Sequence, residues 1–241
     1  MQALGRQLDA LVFDYGNTLI EFGHEQVTAC DRALSTALGE LFGTHDFERL
    51  CQFQHHERRA PYAGEFLEHN LRDITRQLVR KLFDVEATES QLDGLLEVRF
   101  QAMTSAVRVE ESVLKLLEVL AGRFRLALIS NYPCSRSIKH SLKQHGFDRW
   151  LEVVVVSGDV GHVKPHPRLF ESVTKQLGLK PESMLFVGDN WLGDIQGAKR
   201  FGMKAAWTTQ YVPYELFEKQ PGDHDPDLVI KHISELRGLV E

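Results

Sequence analysis

Short apolar runs alternate with amphipathic stretches over the second half of the chain. Arg125–Ile129, Val153–Val156, Met184–Val187, Lys204–Trp207 and Leu228–Ile230 read as strands. Between them, Val113, Leu116, Leu117 and Leu120 share one helical face. Ser135–His145, Pro167–Leu177 and Asp194–Phe201 read as helices stopped by Gly146, Gly178 and Gly202. Ile233–Leu239 reads as a last helix. The strands are continuously apolar, as expected where both faces of a sheet are covered. Such alternation predicts an α/β fold, a Rossmann-like, doubly wound parallel sheet.

Leu11–Phe13 is a further short strand near the start, and the chain beyond it has a different pattern. Val27, Cys30, Leu34 and Leu38 recur at helical spacing. So do Leu67, Leu71, Ile74, Leu78 and Leu82, and then Leu92, Leu95 or Leu96, Phe100 and Met103. Phe47–Arg59 is a polar, histidine-bearing stretch between them. No strand is predicted over 22–105. Residues 1–21 and 106–241 are therefore expected to form an α/β core domain, with 22–105 inserted as a helical cap. The polar, proline-bearing segment 211–226 is expected to be a surface loop.

Composition narrows the function. The 241 residues are 43% hydrophobic and 26% charged, ordinary for a globular protein. The net charge of -6, with no basic stripe, argues against a nucleic-acid partner. No apolar run is long enough to span a membrane, and no signal peptide is expected. The three cysteines, Cys30, Cys51 and Cys134, form no CxxC pair. That suggests free thiols in a reducing compartment, hence a cytoplasmic protein.

In an open parallel sheet, ligands bind beyond the carboxyl ends of the strands. Here those ends are polar. The first strand runs into Asp14, with Thr18 close behind; the second into Ser130-Asn131. The strand Met184–Val187 runs into Gly188-Asp189, with Asp194 soon after, and the loop after Val153–Val156 carries Lys164. Carboxylates suit a hard divalent cation, and hydroxyl, amide and ammonium groups suit phosphate oxygens. Each residue alone could serve a turn, a helix dipole or solvent; their joint occurrence, each just after a strand, favours a site. His162 and His166 are four apart, but Pro165 and Pro167 oppose the helix that a two-histidine metal site would need. No GxGxxG or Walker-type loop comes after the first strand.

The ordered set resembles the haloacid dehalogenase superfamily, in the subfamily with a helical cap inserted after the first strand. Asp14-Tyr15-Gly16-Asn17-Thr18 is similar to its DxDxT motif, Ser130 to its second, and Lys164-Pro165 to its third. Gly188-Asp189 through Asp194 is similar to the GDxxxxD motif. The resemblance implies a phosphohydrolase acting on a small phosphorylated metabolite. Asp14 would be the nucleophile, and Mg²⁺ would be held by Asp14, Asp189, Asp194 and the backbone carbonyl of Gly16. Ser130 and Lys164 would neutralise the phosphoryl group, with Thr18 and Asn131 at the substrate.

Gly16 departs from that pattern. Phosphatases of the family carry there a second Asp that protonates the leaving group and later activates water. Glycine keeps the carbonyl but supplies no acid. A cap residue could stand in, with His24, His55, His56 and His69 as candidates by chemistry. The substrate could carry a leaving group that needs no acid, or the protein could bind without turning over. A dehalogenase-like reaction is disfavoured by Gly188-Asp189, the metal-binding form of the motif. A phosphonatase-like one needs a cap lysine, and Lys81 is the only lysine in 22–105.

Overall fold

The computed structural model describes residues 1–212 and 217–241. Six parallel strands form one sheet: β1 (Ala10–Phe13), β2 (Arg125–Ser130), β3 (Leu151–Val156), β4 (Met184–Gly188), β5 (Lys204–Thr208) and β6 (Leu228–Ile230). Their order is β3-β2-β1-β4-β5-β6. All expected strands form. Side chains alternate across the sheet, as the two-residue period requires. Leu11, Phe13, Leu126, Leu128, Leu185 and Val187 enter one core. Ala10, Val12, Ala127, Ile129, Met184 and Phe186 enter the other. This double burial is why the strands read as unbroken apolar runs.

Ten α-helices are described: α1 (Gln2–Gly5), α2 (His24–Phe42), α3 (Phe47–Arg59), α4 (Leu71–Phe83), α5 (Glu89–Ala106), α6 (Glu111–Ala121), α7 (Ser135–Gln144), α8 (Ser157–Val160), α9 (Pro167–Leu177) and α10 (Gly197–Phe201). Helices α6 and α7 supply the first core, and α9 and α10 the second. Pro167 opens α9, where its missing N–H costs nothing, and Gly178 ends it at φ 65°.

Helices α2 to α5 surround a third apolar core, made by Leu34, Leu38, Leu50, Phe53, Ile74, Leu78, Val79 and Leu95. Phe47–Arg59, expected as a polar stretch, is helix α3. Asp46 starts it by accepting from the Glu48 and Arg49 amides, and Leu50 and Phe53 give it a buried face. Leu67 is not on the α4 face. It is 49% exposed and bridges to His162, because Asn70 caps the helix three residues later. Two more elements differ from expectation. The helix expected over Asp194–Phe201 is instead a wide π-type turn, Trp191–Gln196, followed by short α10. Ile233–Leu239 is a 3₁₀ helix. In the expected 211–226 loop, 211, 212 and 217–226 carry no helix or strand, and 213–216 lie outside the described residues.

The segment before α4 is tied to the loop before Lys164. The Val163 amide donates to the Phe66 carbonyl at 2.8 Å, and the Glu68 amide to the Gly161 carbonyl at 3.1 Å. These bonds set the helical unit over the carboxyl ends of β1, β2 and β4.

Candidate active site

Strand order creates the site. β1 lies between β2 and β4, so their carboxyl ends place Asp14, Ser130 and Asp189 side by side. The chain winds outward from β1 on one side and from β4 on the other, which makes this edge the switch point of the sheet.

Lys164 is the centre of the arrangement. It is 2% exposed. Its ammonium lies 2.6 Å from Asp14 Oδ1, 2.7 Å from Asp194 Oδ1 and 2.9 Å from the Ile129 carbonyl. It donates hydrogen bonds to Asp14 and to the Ile129 carbonyl, while Asp194 Oδ1 faces it as an ion pair. Burial disfavours the ammonium, but the two carboxylates outweigh that and hold its pKa above the ordinary lysine value. Burial pushes the Asp14 carboxyl up to about 6; Lys164 pulls it down, and Asp194 adds to the rise. Burial, then Asp14 and Asp194, raise Asp189 well above the usual carboxylate range.

Asp194 approaches this closely because residue 188 has no side chain. A Cβ on Gly188 would stand 2.2 Å from Asp194 Oδ2. That oxygen instead accepts from the Asn190 amide at 3.0 Å. Asn190 in turn starts the π-type turn by accepting from the Gly193 amide at 2.7 Å. The glycine-aspartate pair and the later aspartate are thus one packed unit.

Asp14, Asp189 and Asp194 each present a carboxylate oxygen, all within 4.8 Å of one another. Three carboxylates against one ammonium leave excess negative charge in a largely buried place. Such an oxygen donor set fits a small hard cation, whose charge would offset it. His162 and His166 form no such group: their rings stack at 3.9 Å, and His166 Nδ1 accepts from the Arg168 amide to cap α9.

Asn131 lines the cavity, and its amide is engaged there. Its Oδ1 accepts from the Lys164 amide at 2.8 Å, and its Nδ2 donates to the Lys164 carbonyl and to Tyr62. It positions Lys164. Thr18 is also placed differently from expectation. It is fully buried, its hydroxyl meets no partner among the described residues, and it does not line the cavity. The left-handed turn at Asn17 (φ 56°) directs it back into the protein.

Gly16 needs no glycine conformation, for its φ is not positive. A Cβ there would meet only Phe22 Cβ, at 3.6 Å. Backbone geometry therefore does not account for the missing carboxylate.

A cavity of about 330 Å³ opens from these residues toward the helical unit. On that side it is lined by groups that carried no signal in the sequence: Asp31, Gln54, Arg58, Tyr62, Glu68 and Arg99. Arg99 donates to Gln54 Oε1 at 3.1 Å, Gln54 reaches Asp31 at 3.4 Å, and Arg58 pairs with Asp31 at 3.6 Å. They stand on α2, α3 and α5, and only the fold brings them together. The candidate acids His24, His55, His56 and His69 are not among the lining residues, and His69 instead pairs with Glu57 at 3.2 Å. Lys81 is exposed, with its ammonium over the Phe53 ring at 5.7 Å, away from the cavity.

Fold and site together define a doubly wound α/β protein with a carboxylate-rich centre at its switch point. The family model described as haloacid dehalogenase-like hydrolase matches residues 45–208, and the chain belongs to that family. It is 32% identical to the pyrophosphatase PpaX of Bacillus pumilus over 221 residues, covering 87% of this chain and 98% of that protein. It is 34% identical to the pyrophosphatase PpaX of Halalkalibacterium halodurans over 117 residues, 48% of this chain and only 52% of that protein. Among solved structures, the 2-haloacid dehalogenase of Pseudomonas syringae pv. Tomato superposes with a TM-score of 0.76 at 21% identity, covering 97% of this chain and 98% of that one. That likeness concerns the fold. Among the described residues, no helix is long and apolar enough to cross a membrane.

Proposed function

We propose that the protein is a Mg²⁺-dependent phosphohydrolase acting on a small phosphorylated metabolite through a phosphoryl intermediate on Asp14. The carrying observation is the convergence of Asp14, Asp189 and Asp194 on buried Lys164 at one cavity. The phosphatase names of full-length and partial relatives point the same way. The cavity is at the small end for ligand sites, which suits a metabolite. In this reading 1–21 and 106–241 are the catalytic core, and 22–105 is the cap that selects the substrate.

Asp14, Asp189, Asp194 and the Gly16 carbonyl would hold the cation, which when bound would screen the charge of the phosphoryl oxygens. The Asp14 carboxylate attacks phosphorus, and the bond to the leaving oxygen breaks. Ser130 and Lys164 flank Asp14 and offset charge that grows on the phosphoryl group. Asn131 holds Lys164 in place through its main chain. Water then attacks phosphorus and frees Asp14. The dehalogenase-like reading is disfavoured by three carboxylates gathered at one point, and the phosphonatase-like one by the position of Lys81.

A second reading rests on Gly16: a binding or regulatory protein with weakened catalysis. Turnover of an aryl phosphate with and without Mg²⁺ separates the two. Metal-dependent turnover that Asp14→Asn abolishes supports the enzyme; no turnover with or without Mg²⁺ supports the other.

A further inference from the structure

The site built around Gly16 lacks a proton donor for the leaving oxygen. Most proton-bearing groups that line the cavity are already committed. The Glu68 carboxylate accepts from the Ser157 hydroxyl and from the His69 amide. Glu57 pairs with His69, and Asp31 with Gln54 and Arg58. Tyr132 has Cys30 of α2 and Arg99 of α5 as its strongest electrostatic neighbours, whereas Tyr62 has Lys164 and Asp194.

Tyr62 is different. Its hydroxyl lies 3.0 Å from Asn131 Nδ2. The orientation of the Asn131 amide is fixed, because its oxygen accepts from the Lys164 main-chain amide at 2.8 Å. The nitrogen end must therefore donate to Tyr62, and Tyr62 must accept. The phenol's own proton is left over, and among the described residues it meets no acceptor. Tyr62 stands one hydrogen bond from the residue that positions Lys164, and it lines the same cavity as Asp14 and Gly16. Its ring is held by Phe217 at 4.7 Å and Phe66 at 6.4 Å. A residue from the helical insertion thus carries an uncommitted O–H at the wall of the cavity that holds Asp14.

We propose that Tyr62 is the proton donor to the leaving oxygen, doing from the cap what Gly16 cannot do from the end of β1. The proposal rests on the phosphohydrolase reading. As Asp14 bonds to phosphorus and the bond to the leaving oxygen breaks, the Tyr62 proton passes to that oxygen and an alcohol departs. In the second step water attacks phosphorus, the Asp14–phosphorus bond breaks, and a water proton returns to the Tyr62 phenolate. The products are alcohol and phosphate, with Asp14 and Tyr62 as they began. Burial raises the phenol's pKa against the Asn131 hydrogen bond, which keeps the proton in place until a strongly basic oxygen needs it. Aryl phosphates leave as stabilised anions and do not use this proton.

The test is Tyr62→Phe, assayed on an alkyl phosphate and on p-nitrophenyl phosphate with Mg²⁺. The expected result is a fall in alkyl-phosphate kcat of about 10²-fold or more, with little change in KM or in aryl-phosphate kcat. The retained aryl turnover shows that the variant is folded. The double variant Gly16→Asp/Tyr62→Phe should regain alkyl-phosphate turnover. Equal losses on both substrates, or no rescue by Gly16→Asp, would overturn the proposal. So would a wild-type protein that turns over the aryl but not the alkyl phosphate, a result that leaves the phosphohydrolase reading standing. Turnover of neither substrate removes both.

Discussion

The two halves of the cavity are built in different ways. In the core half the polar groups sit at strand ends or in the connections that follow them. Asp14, Ser130 and Asp189 stand at the ends of β1, β2 and β4, and Lys164 arrives from the loop after β3. In the cap half Asp31, Gln54, Arg58 and Arg99 sit on helices α2, α3 and α5, while Tyr62 and Glu68 lie on the connection between α3 and α4. The core half is drawn together at contact distances of 2.6 to 2.9 Å. In the cap half Asp31, Gln54, Arg58 and Arg99 meet more loosely, at 3.1 to 3.6 Å. A sheet fixes its edge residues through main-chain pairing, whereas a helix bundle places side chains through packing alone. The first suits chemistry, which tolerates little displacement; the second suits selection among substrates.

Breaking the core half should have the largest effect. Asp14→Asn removes the proposed nucleophile with almost no change of shape, and turnover should fall by about 10⁴-fold. The circular dichroism spectrum should match the wild type. A variant that keeps substantial activity would mean that the core half is not where bonds are made.

Breaking the cap half should cost stability. Leu38 is fully buried in the third core, and Leu38→Ala should lose about 2–5 kcal/mol, read from denaturant unfolding. The rise in melting temperature caused by Mg²⁺ should survive in this variant. Its loss would mean that the packing of the cap half and cation binding at the carboxylates of the core half are coupled.

Asp189→Ala should do the reverse, removing the Mg²⁺ effect. In the wild type a cation at about 100 times its Kd should add about 2.7 kcal/mol. The effect should also shrink as pH falls through about 6, because the Asp14 carboxyl then gains a proton and offers the cation no charge. A Mg²⁺ shift that is unchanged between pH 7 and pH 5 would count against these ligands.

The smallest effect is expected at Thr18. Its hydroxyl is buried with no partner among the described residues, so Thr18→Val should leave turnover unchanged and stability equal or slightly higher. A marked rise in KM would show that the hydroxyl reaches substrate after all.

The same contrast governs what could be read from the chain. Lys164 and Asp194 were legible because strands are short apolar runs and a polar residue just after one stands out. The sheet then brings such residues together whatever their separation in sequence. Tyr62 and Arg99 were not legible. Each looks like an ordinary residue of a helical region, and which helix face meets the cavity depends on tertiary packing. The histidines His24, His55, His56 and His69 show the hazard: suitable chemistry gave no information about position. The placement of Thr18 was missed for a related reason, since one left-handed residue, Asn17, reverses the direction of the next side chain. Gly188 carried a signal that only the structure explains, the need to admit the Asp194 carboxylate.

The central claim is that Asp14 carries the phosphoryl group during turnover. Protein mixed with excess p-nitrophenyl phosphate and Mg²⁺, quenched in acid within one turnover and digested, can be weighed peptide by peptide. The account predicts added mass of one phosphoryl group on the peptide containing Asp14, lost on treatment with hydroxylamine and absent in Asp14→Asn. Rapid turnover with no such adduct at any quench time, or an adduct on another residue, would contradict it.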